Sequence, residues 1–213
     1  MTAGSHLLVP IKPLRLAKSR LLGAADAGRG RPDAHAALVA AVALDTVRAA
    51  RLAPGVAEVV VVTSDPALTD AFAAEGVEVL ADAPAAGLNA ALRHGAELLE
   101  RRPGVSRIGA LQADLPALRP DELGAALRAA GDERAFCADR AGTGTTLLLA
   151  APGTPLDPRF GPGSAAAHAA SGGKALDGPW DSLRCDVDTA ADLAAATALG
   201  VGVNTAHRLR EQD

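Results

Sequence analysis

Tyrosine is absent from the chain, and its other aromatic rings, Phe72, Phe136, Phe160 and Trp180, stand far apart. Single-stranded nucleic acid is held on clustered aromatic faces, and no such platform can be built from these. A formal net charge of −4 also argues against nucleic acid as a partner, because phosphate backbones are bound by an excess of Lys and Arg. Cysteine is nearly missing: Cys137 and Cys185 are isolated, with no C-x-x-C pair, and the five histidines show no H-x-x-x-H spacing. Thiolate and imidazole metal sites are argued against on that ground. Any metal is expected on carboxylates, which suit Mg2+, with Mn2+ as the alternative. No apolar run approaches the roughly 18 residues of a membrane span. The stretch MTAGSHLLVPIKPLRLAKSR does not pair a basic start with a long apolar segment, so no signal peptide is read. A cytoplasmic protein without a membrane partner is the expectation.

What the chain does have is enough apolar residue, 49% over 213 positions, for one sizeable core. Residues 6–11 (HLLVPI) read as a short buried strand, followed by a basic loop and an amphipathic helix from about Asp33 to Leu52. EVVVVTS at 58–64 is a run of β-branched residues of the kind covered on both faces. Asp65-Pro66 then opens a helix in N-cap and N1 style. Further strands are predicted at 77–82 and 107–114, and further helices at 88–101 and from Pro120. After AFCAD (135–139) the alternation loosens, with a strand at 145–151, a helix at 164–171, a last strand and turn at 182–189 and a helix at 190–199. The tail after about 200 is expected to fray. Strands alternating with helices predict a single doubly wound, mostly parallel sheet with helices on both faces, one domain over 1–213. Oligomeric state is not legible.

Three stretches can carry chemistry. In PIKPLRLAKSRL (10–21), Lys12, Arg15, Lys18 and Arg20 crowd one loop after the first strand, with no acid among them. At the carboxyl edge of a parallel sheet such a loop meets ligand, and its charge suits a triphosphate. Asp114 closes the apolar run ALQAD two residues before Pro116. Alone it reads as a turn acid. Together with Asp186 and Asp188, which alternation puts on one side of an extended CDVDT, it can hold magnesium beside phosphates. Asp188 or Thr189 can equally cap the following helix, with Asp192 in its first turn. Third, in FGPGSAAAH the glycines 161 and 163 and Ser164 precede a helix N-terminus, an attractive place for the anionic end of a phosphorylated acid. Thr145 and Thr146 can add hydroxyls, and Gly87-Leu88-Asn89 begins another helix. SGGKA (171–175) lacks the first glycine and the Ser/Thr of a P-loop and is set aside.

VPIKPLRLAKSRL, GLNAAL, LQADLPAL, GTGTTLLLA, FGPGSAAAH and CDVDTAADL, in that order, resemble a branch of the glycosyltransferase-A-like nucleotidyltransferases. That branch is the 2-phospho-L-lactate and phosphoenolpyruvate guanylyltransferases of coenzyme F-420 biosynthesis. The resemblance implies a nucleotide-diphospho-sugar transferase-like fold and a magnesium-dependent reaction between GTP and a small phosphorylated acid. It implies that Lys12, Lys18 and Arg20 hold the triphosphate, and that Asp114 and Asp186, with Asp188, bind the metal. Thr146, Gly161 and Ser164 would receive the acid, and Gly87 and Asn89 would lie near guanine or ribose. Phosphoenolpyruvate is the preferred acceptor, on a GC-rich composition typical of actinobacteria, with 2-phospho-L-lactate the runner-up. A non-catalytic GTP-binding protein stays open as a different class. A Rossmann oxidoreductase is disfavoured, because no glycine fingerprint follows the first strand.

Overall fold

The computed structural model describes residues 4–14, 21 and 30–211. Its centre is a run of parallel strands that the β-branched stretches build as expected: β1 (Ser5–Pro10), β2 (Val56–Val62), β3 (Glu78–Leu80) and β4 (Arg107–Leu111). Between them lie α1 (Pro32–Arg51), α2 (Pro66–Ala74) and α3 (Leu88–Glu100). After β4 come α4 (Pro120–Ala130), β5 (Ala135–Ala138), β6 (Thr145–Leu149), α5 (Ser164–Ala170) and β7 (Lys174–Ala175). The chain closes with α6 (Asp181–Arg184), α7 (Ala190–Leu199) and α8 (Val203–Arg210).

The seven strands form one sheet in the order β3-β2-β1-β4-β6-β5-β7. The β1–β2, β1–β4, β2–β3 and β5–β7 pairs are parallel, while β6 runs antiparallel to both β4 and β5. Alternation divides the core into two layers. Leu7 and Val9 of β1 join Val59 and Val61 of β2 under α1, α2 and α4. Leu8, Val60 and Val62 face the opposite way and pack with Leu92, Ala96 and Leu99 of α3. The doubly wound, mostly parallel sheet read from the sequence is the sheet observed.

Asp65 caps α2 as its position before Pro66 predicts, accepting from the N–H groups of Ala67 and Leu68. Its other oxygen accepts Leu14 N–H at 2.8 Å, which fastens the loop after β1 to the start of α2. One acid thus closes a helix and fixes a loop at the ligand edge.

Three expectations are corrected. Residues 182–189 contain no strand. The Glu122 carboxylate accepts both the N–H and the hydroxyl of Ser182, at 2.9 and 2.7 Å, and winds 181–184 into α6. The predicted strand 107–114 stops at Leu111, because pairing with β1 ends at Ala110 and pairing with β6 at Leu111. Asp114 therefore sits on the turn beyond the strand. The segment after 200 holds α8 rather than fraying. Buried Asp45 of α1 accepts Asn204 N–H, Asn204 Nδ2 and Thr205 N–H at 3.1, 2.7 and 2.7 Å. A carboxylate at a helix N-terminus is the stabilising arrangement for both the free N–H groups and the dipole.

Candidate active site

In the order β3-β2-β1-β4, chain direction across the sheet reverses beside β1. Open α/β sheets bind ligands at such a switch, outside the carboxyl ends of the strands. A cavity of about 420 Å³ opens there, within the range of small-molecule sites. Its floor is apolar, made by Val39, Val42 and Ala43 of α1 and Val62 of β2. Its polar groups are Lys12, Asp82, Gln112, Asp114 and Asp188, and Gly87 and Leu88 bring the start of α3 to its wall.

Asp114 is held by main-chain geometry on both sides. Fully buried Thr46 of α1 shares its hydroxyl proton between Val42 O at 2.9 Å and Ala113 O at 3.1 Å and accepts Leu115 N–H at 3.0 Å, so one side chain brackets the turn. From the other direction, Val187 N–H donates to Asp114 O at 3.0 Å. That bond joins the ADL and DVD segments, 73 positions apart in sequence. Cys185 and Val187 are buried while Asp186 is partly buried and Asp188 exposed. The alternation expected of 186 and 188 therefore holds without a strand. Asp188 reaches the cavity wall beside Asp114, and Asp186 is outside the set that lines it. Among the described residues no three acidic, His or Cys side chains cluster closely enough to hold a metal by themselves. The capping reading of the same stretch is also realised: Thr189 and Asp192 form a reciprocal capping box at α7.

Lys12 lines the cavity, whereas Arg15, Lys18 and Arg20 lie outside the described residues. Gly87 precedes α3 at φ +93°, a conformation that disfavours a side chain, and it offers no side-chain cap to the helix. The first-turn N–H groups and positive dipole end of this 13-residue helix therefore face the cavity region. Asn89 is not part of the cavity wall. Its Nδ2 donates to Phe160 O at 2.9 Å and its Oδ1 accepts Phe160 N–H at 2.8 Å. The amide ties α3 to the loop carrying Gly161 and Ser164.

Thr146 stands next to the cavity through its backbone, since Gln112 N–H donates to Thr146 O at 2.8 Å. The β5–β6 register slips here: Ala138 faces Thr145 while Cys137 faces Leu147. Such a bulge re-aims side chains and is common beside active sites. The Thr146 hydroxyl lies 3.4 Å from Cys137 O. Ser164 is buried, its hydroxyl donating to Thr145 Oγ1 at 3.2 Å, and Gly161 opens the turn into α5. Sequence reasoning missed Asp82 and Gln112. The signal for Asp82 was present, since VEVLAD places an acid just past a strand as ALQAD does. Asp82 Oδ1 is buried, and among the described residues it accepts no hydrogen bond. Burial pushes the thiols of Cys137 and Cys185 above their ordinary range, so neither is an activated nucleophile.

A cavity at the β1/β4 switch, walled by a lysine and by carboxylates just past parallel strands, defines an α/β enzyme that handles an anionic nucleotide. The chain belongs to the MobA-like NTP transferase family, whose domain model matches residues 39–176, and it is a nucleotidyltransferase. It is 54% identical to a phosphoenolpyruvate guanylyltransferase of Salinispora arenicola, over 97% of this chain and 94% of that protein. A Streptomyces coelicolor protein of the same name is 52% identical over 94% of this chain and 93% of its own. Among solved structures, a protein of Desulfovibrio desulfuricans assigned as a nucleotide-diphospho-sugar transferase superposes with a TM-score of 0.66 at 18% identity, covering 98% of each chain. A nucleotidyl transferase from Methanothermobacter superposes with a TM-score of 0.57, also at 18% identity, covering 98% of this chain and 99% of its own. These two establish the shared fold. No helix among the described residues is long and apolar enough to cross a membrane.

Proposed function

We propose that the chain transfers the guanylyl group of GTP to the phosphate of phosphoenolpyruvate, giving enolpyruvyl-diphospho-5'-guanosine and pyrophosphate in the cytoplasm, for coenzyme F-420 assembly. The observation that carries this is the meeting of Lys12, Asp114 and Asp188 on one cavity at the sheet's carboxyl edge. The acceptor is taken from the relatives about half identical to this chain over almost its whole length.

A phosphate oxygen of the acid forms a bond to the α-phosphorus of GTP, and the bond from that phosphorus to the bridging oxygen of pyrophosphate breaks. The nucleophile is already an anion, so the protein's work is positioning and charge neutralisation, and no general base is needed. Lys12, with Lys18 and Arg20, offsets the triphosphate. The exposed start of α3 at Gly87 adds N–H donors, and Asn89 holds the two sides of the site together. Asp82 is an acceptor only, which suits ribose hydroxyls or the N–H groups of guanine rather than a phosphate. Thr146, Gly161 and Ser164 receive the acid.

The donor set fits magnesium: Asp114 is nine-tenths buried, Asp188 shares its cavity, and the Val187–Asp114 bond holds their segments together. Magnesium commonly takes one or two carboxylates and completes its shell with water and substrate phosphates, so a full protein cage is unnecessary. Asp186, on the same side of its segment as Asp188, is the further carboxylate of the set. Bound there, the ion would supply charge neutralisation between two anionic substrates.

Incubation with GTP, magnesium and either phosphoenolpyruvate or 2-phospho-L-lactate tests the reading, with products identified by mass and pyrophosphate measured. The expected result is an adduct with phosphoenolpyruvate and stoichiometric pyrophosphate. An adduct formed only with 2-phospho-L-lactate would change the acceptor. GTP binding without pyrophosphate would leave a binding protein, and equal use of ATP would remove the guanine assignment.

A further inference from the structure

Behind the acid subsite lies a buried histidine that the proposed reaction does not use. His168 of α5 is fully inaccessible, yet both ring nitrogens are engaged. Arg159 N–H donates to Nε2 at 2.9 Å, and Nδ1 lies 2.9 Å from Thr145 Oγ1. A backbone amide can only donate, so Nε2 is the acceptor and the ring proton sits on Nδ1. Nδ1–H therefore donates to Thr145 Oγ1. Phe160 meets the ring edge-on at 5.2 Å between centroids, and Phe136 packs at 5.9 Å. The charged groups facing the ring are Arg134, Arg159 and Asp157. Burial first, then the two guanidiniums, hold its pKa at about 4 against the pull of Asp157. The ring is neutral near pH 7.

The direction of this chain of hydrogen bonds matters. Without ligand, Ser164 Oγ donates to the Thr145 oxygen that also receives Nδ1–H, so its proton is committed to that contact. An arriving anion needs the opposite, a hydroxyl proton turned toward it. Because Nδ1–H already occupies a lone pair of Thr145, the proton of Thr145 is available to take over the 3.2 Å contact with Ser164. Ser164 can then give its own proton to the anion. The switch turns hydroxyl rotors and transfers no proton. With the ring proton on Nε2, Nδ1 would accept the Thr145 proton, and Ser164 would remain a donor to Thr145.

We propose that His168 is a positioning residue for the phosphorylated-acid subsite: its Nδ1–H sets Thr145 so that the Ser164 hydroxyl can donate to the acid. This rests on the reading of Ser164 as a ligand of the acid. Two substitutions separate orientation from mere packing. His168→Gln keeps an acceptor near Nε2 for Arg159 and removes the donor to Thr145, whereas His168→Asn does the reverse. The glutamine variant is expected to raise KM for phosphoenolpyruvate about tenfold, the scale of one hydrogen bond to an anion, and to leave KM for GTP within about twofold. The asparagine variant is expected to recover most of that loss while melting at a lower temperature. An unchanged acid KM in His168→Gln, with a raised one in Ser164→Ala, overturns the role of His168 alone. No change in either variant removes the acid from Ser164 and takes both readings with it. Ring-15N-labelled wild-type protein gives a check that needs no variant to fold. A His168 proton on Nδ1 whose resonance shifts on adding phosphoenolpyruvate is expected; a proton on Nε2, or a resonance indifferent to the acid, overturns the inference.

Discussion

The two halves of the carboxyl edge are built on opposite plans. Around β1 and β4, Lys12, Asp82 and Asp188 line an open cavity over an apolar floor. Around β6 and α5, Thr145, Thr146, Ser164 and His168 are buried and bonded to one another or to backbone. The first half leaves charge for a ligand that brings several charges of its own. The second is a preset frame of buried hydrogen bonds, which in the proposed reaction receives the small phosphorylated acid. Asn89 bridges them, rooted in the first turn of α3 and bonded to Phe160 in the loop before α5. Substitutions on the open side should therefore change rate with little loss of stability, and changes on the closed side should disturb both.

The largest expected effect belongs to the open side. Asp114→Asn should lower turnover by at least about two orders of magnitude, the scale of losing one strong electrostatic stabiliser. The Thr46 and Val187 bonds that hold this turn are to backbone and to Thr46 itself. Asn keeps the size and shape of Asp, so the melting temperature should move by no more than a few degrees, or rise as carboxylate repulsion is relieved. Steady-state kinetics beside thermal unfolding reads both quantities, and a variant that unfolds readily yet turns over normally would abolish the contrast.

Acid should strike the closed side. His168 titrates at about 4 in the fold against roughly 6.5 in an unfolded chain. Between those values the unfolded state holds more protons, so stability falls as pH drops through that window and is complete above it. The His168 contribution lost is at most about 3 kcal/mol. Urea unfolding from pH 7 to 4 should show this extra loss in wild type relative to His168→Gln; parallel curves would mean that the ring is not held neutral.

Asn89→Ala removes two hydrogen bonds across the bridge and should cost about 2 kcal/mol of stability, on the scale of about 1 kcal/mol each. KM for the acid should rise more than KM for GTP, because the freed loop carries Gly161 and Ser164. Equal changes in both constants would argue that the halves are not separately built. The smallest effect is expected at solvent-exposed Lys12. Lys12→Met should raise KM for GTP by about three- to tenfold with unchanged melting, and the defect should shrink at high salt as screened charge predicts.

Most of the sheet could be read from the chain because its causes are local. Runs such as EVVVV fit only a strand covered on both faces, and Asp65-Pro66 marks a helix start by the geometry of two residues. Asp114 and the glycines of 161–163 were likewise visible as unusual residues at element ends. The sequence determined the layers, the parallel strands and the chemical types available at their ends. It did not determine which of those ends would meet. The join of Asp114 to Val187, the winding of 181–184 around Glu122, the docking of α8 on Asp45 and the closure of His168 onto Thr145 each depend on partners 23 to 160 positions apart. Asp82 escaped notice for the same reason, since its distinction is a buried oxygen in a shared cavity rather than a motif. Periodicity and caps act over a few residues and leave their mark in the sequence. A hydrogen bond between distant segments leaves none, because either partner alone looks like an ordinary polar residue until packing brings the other within 3 Å.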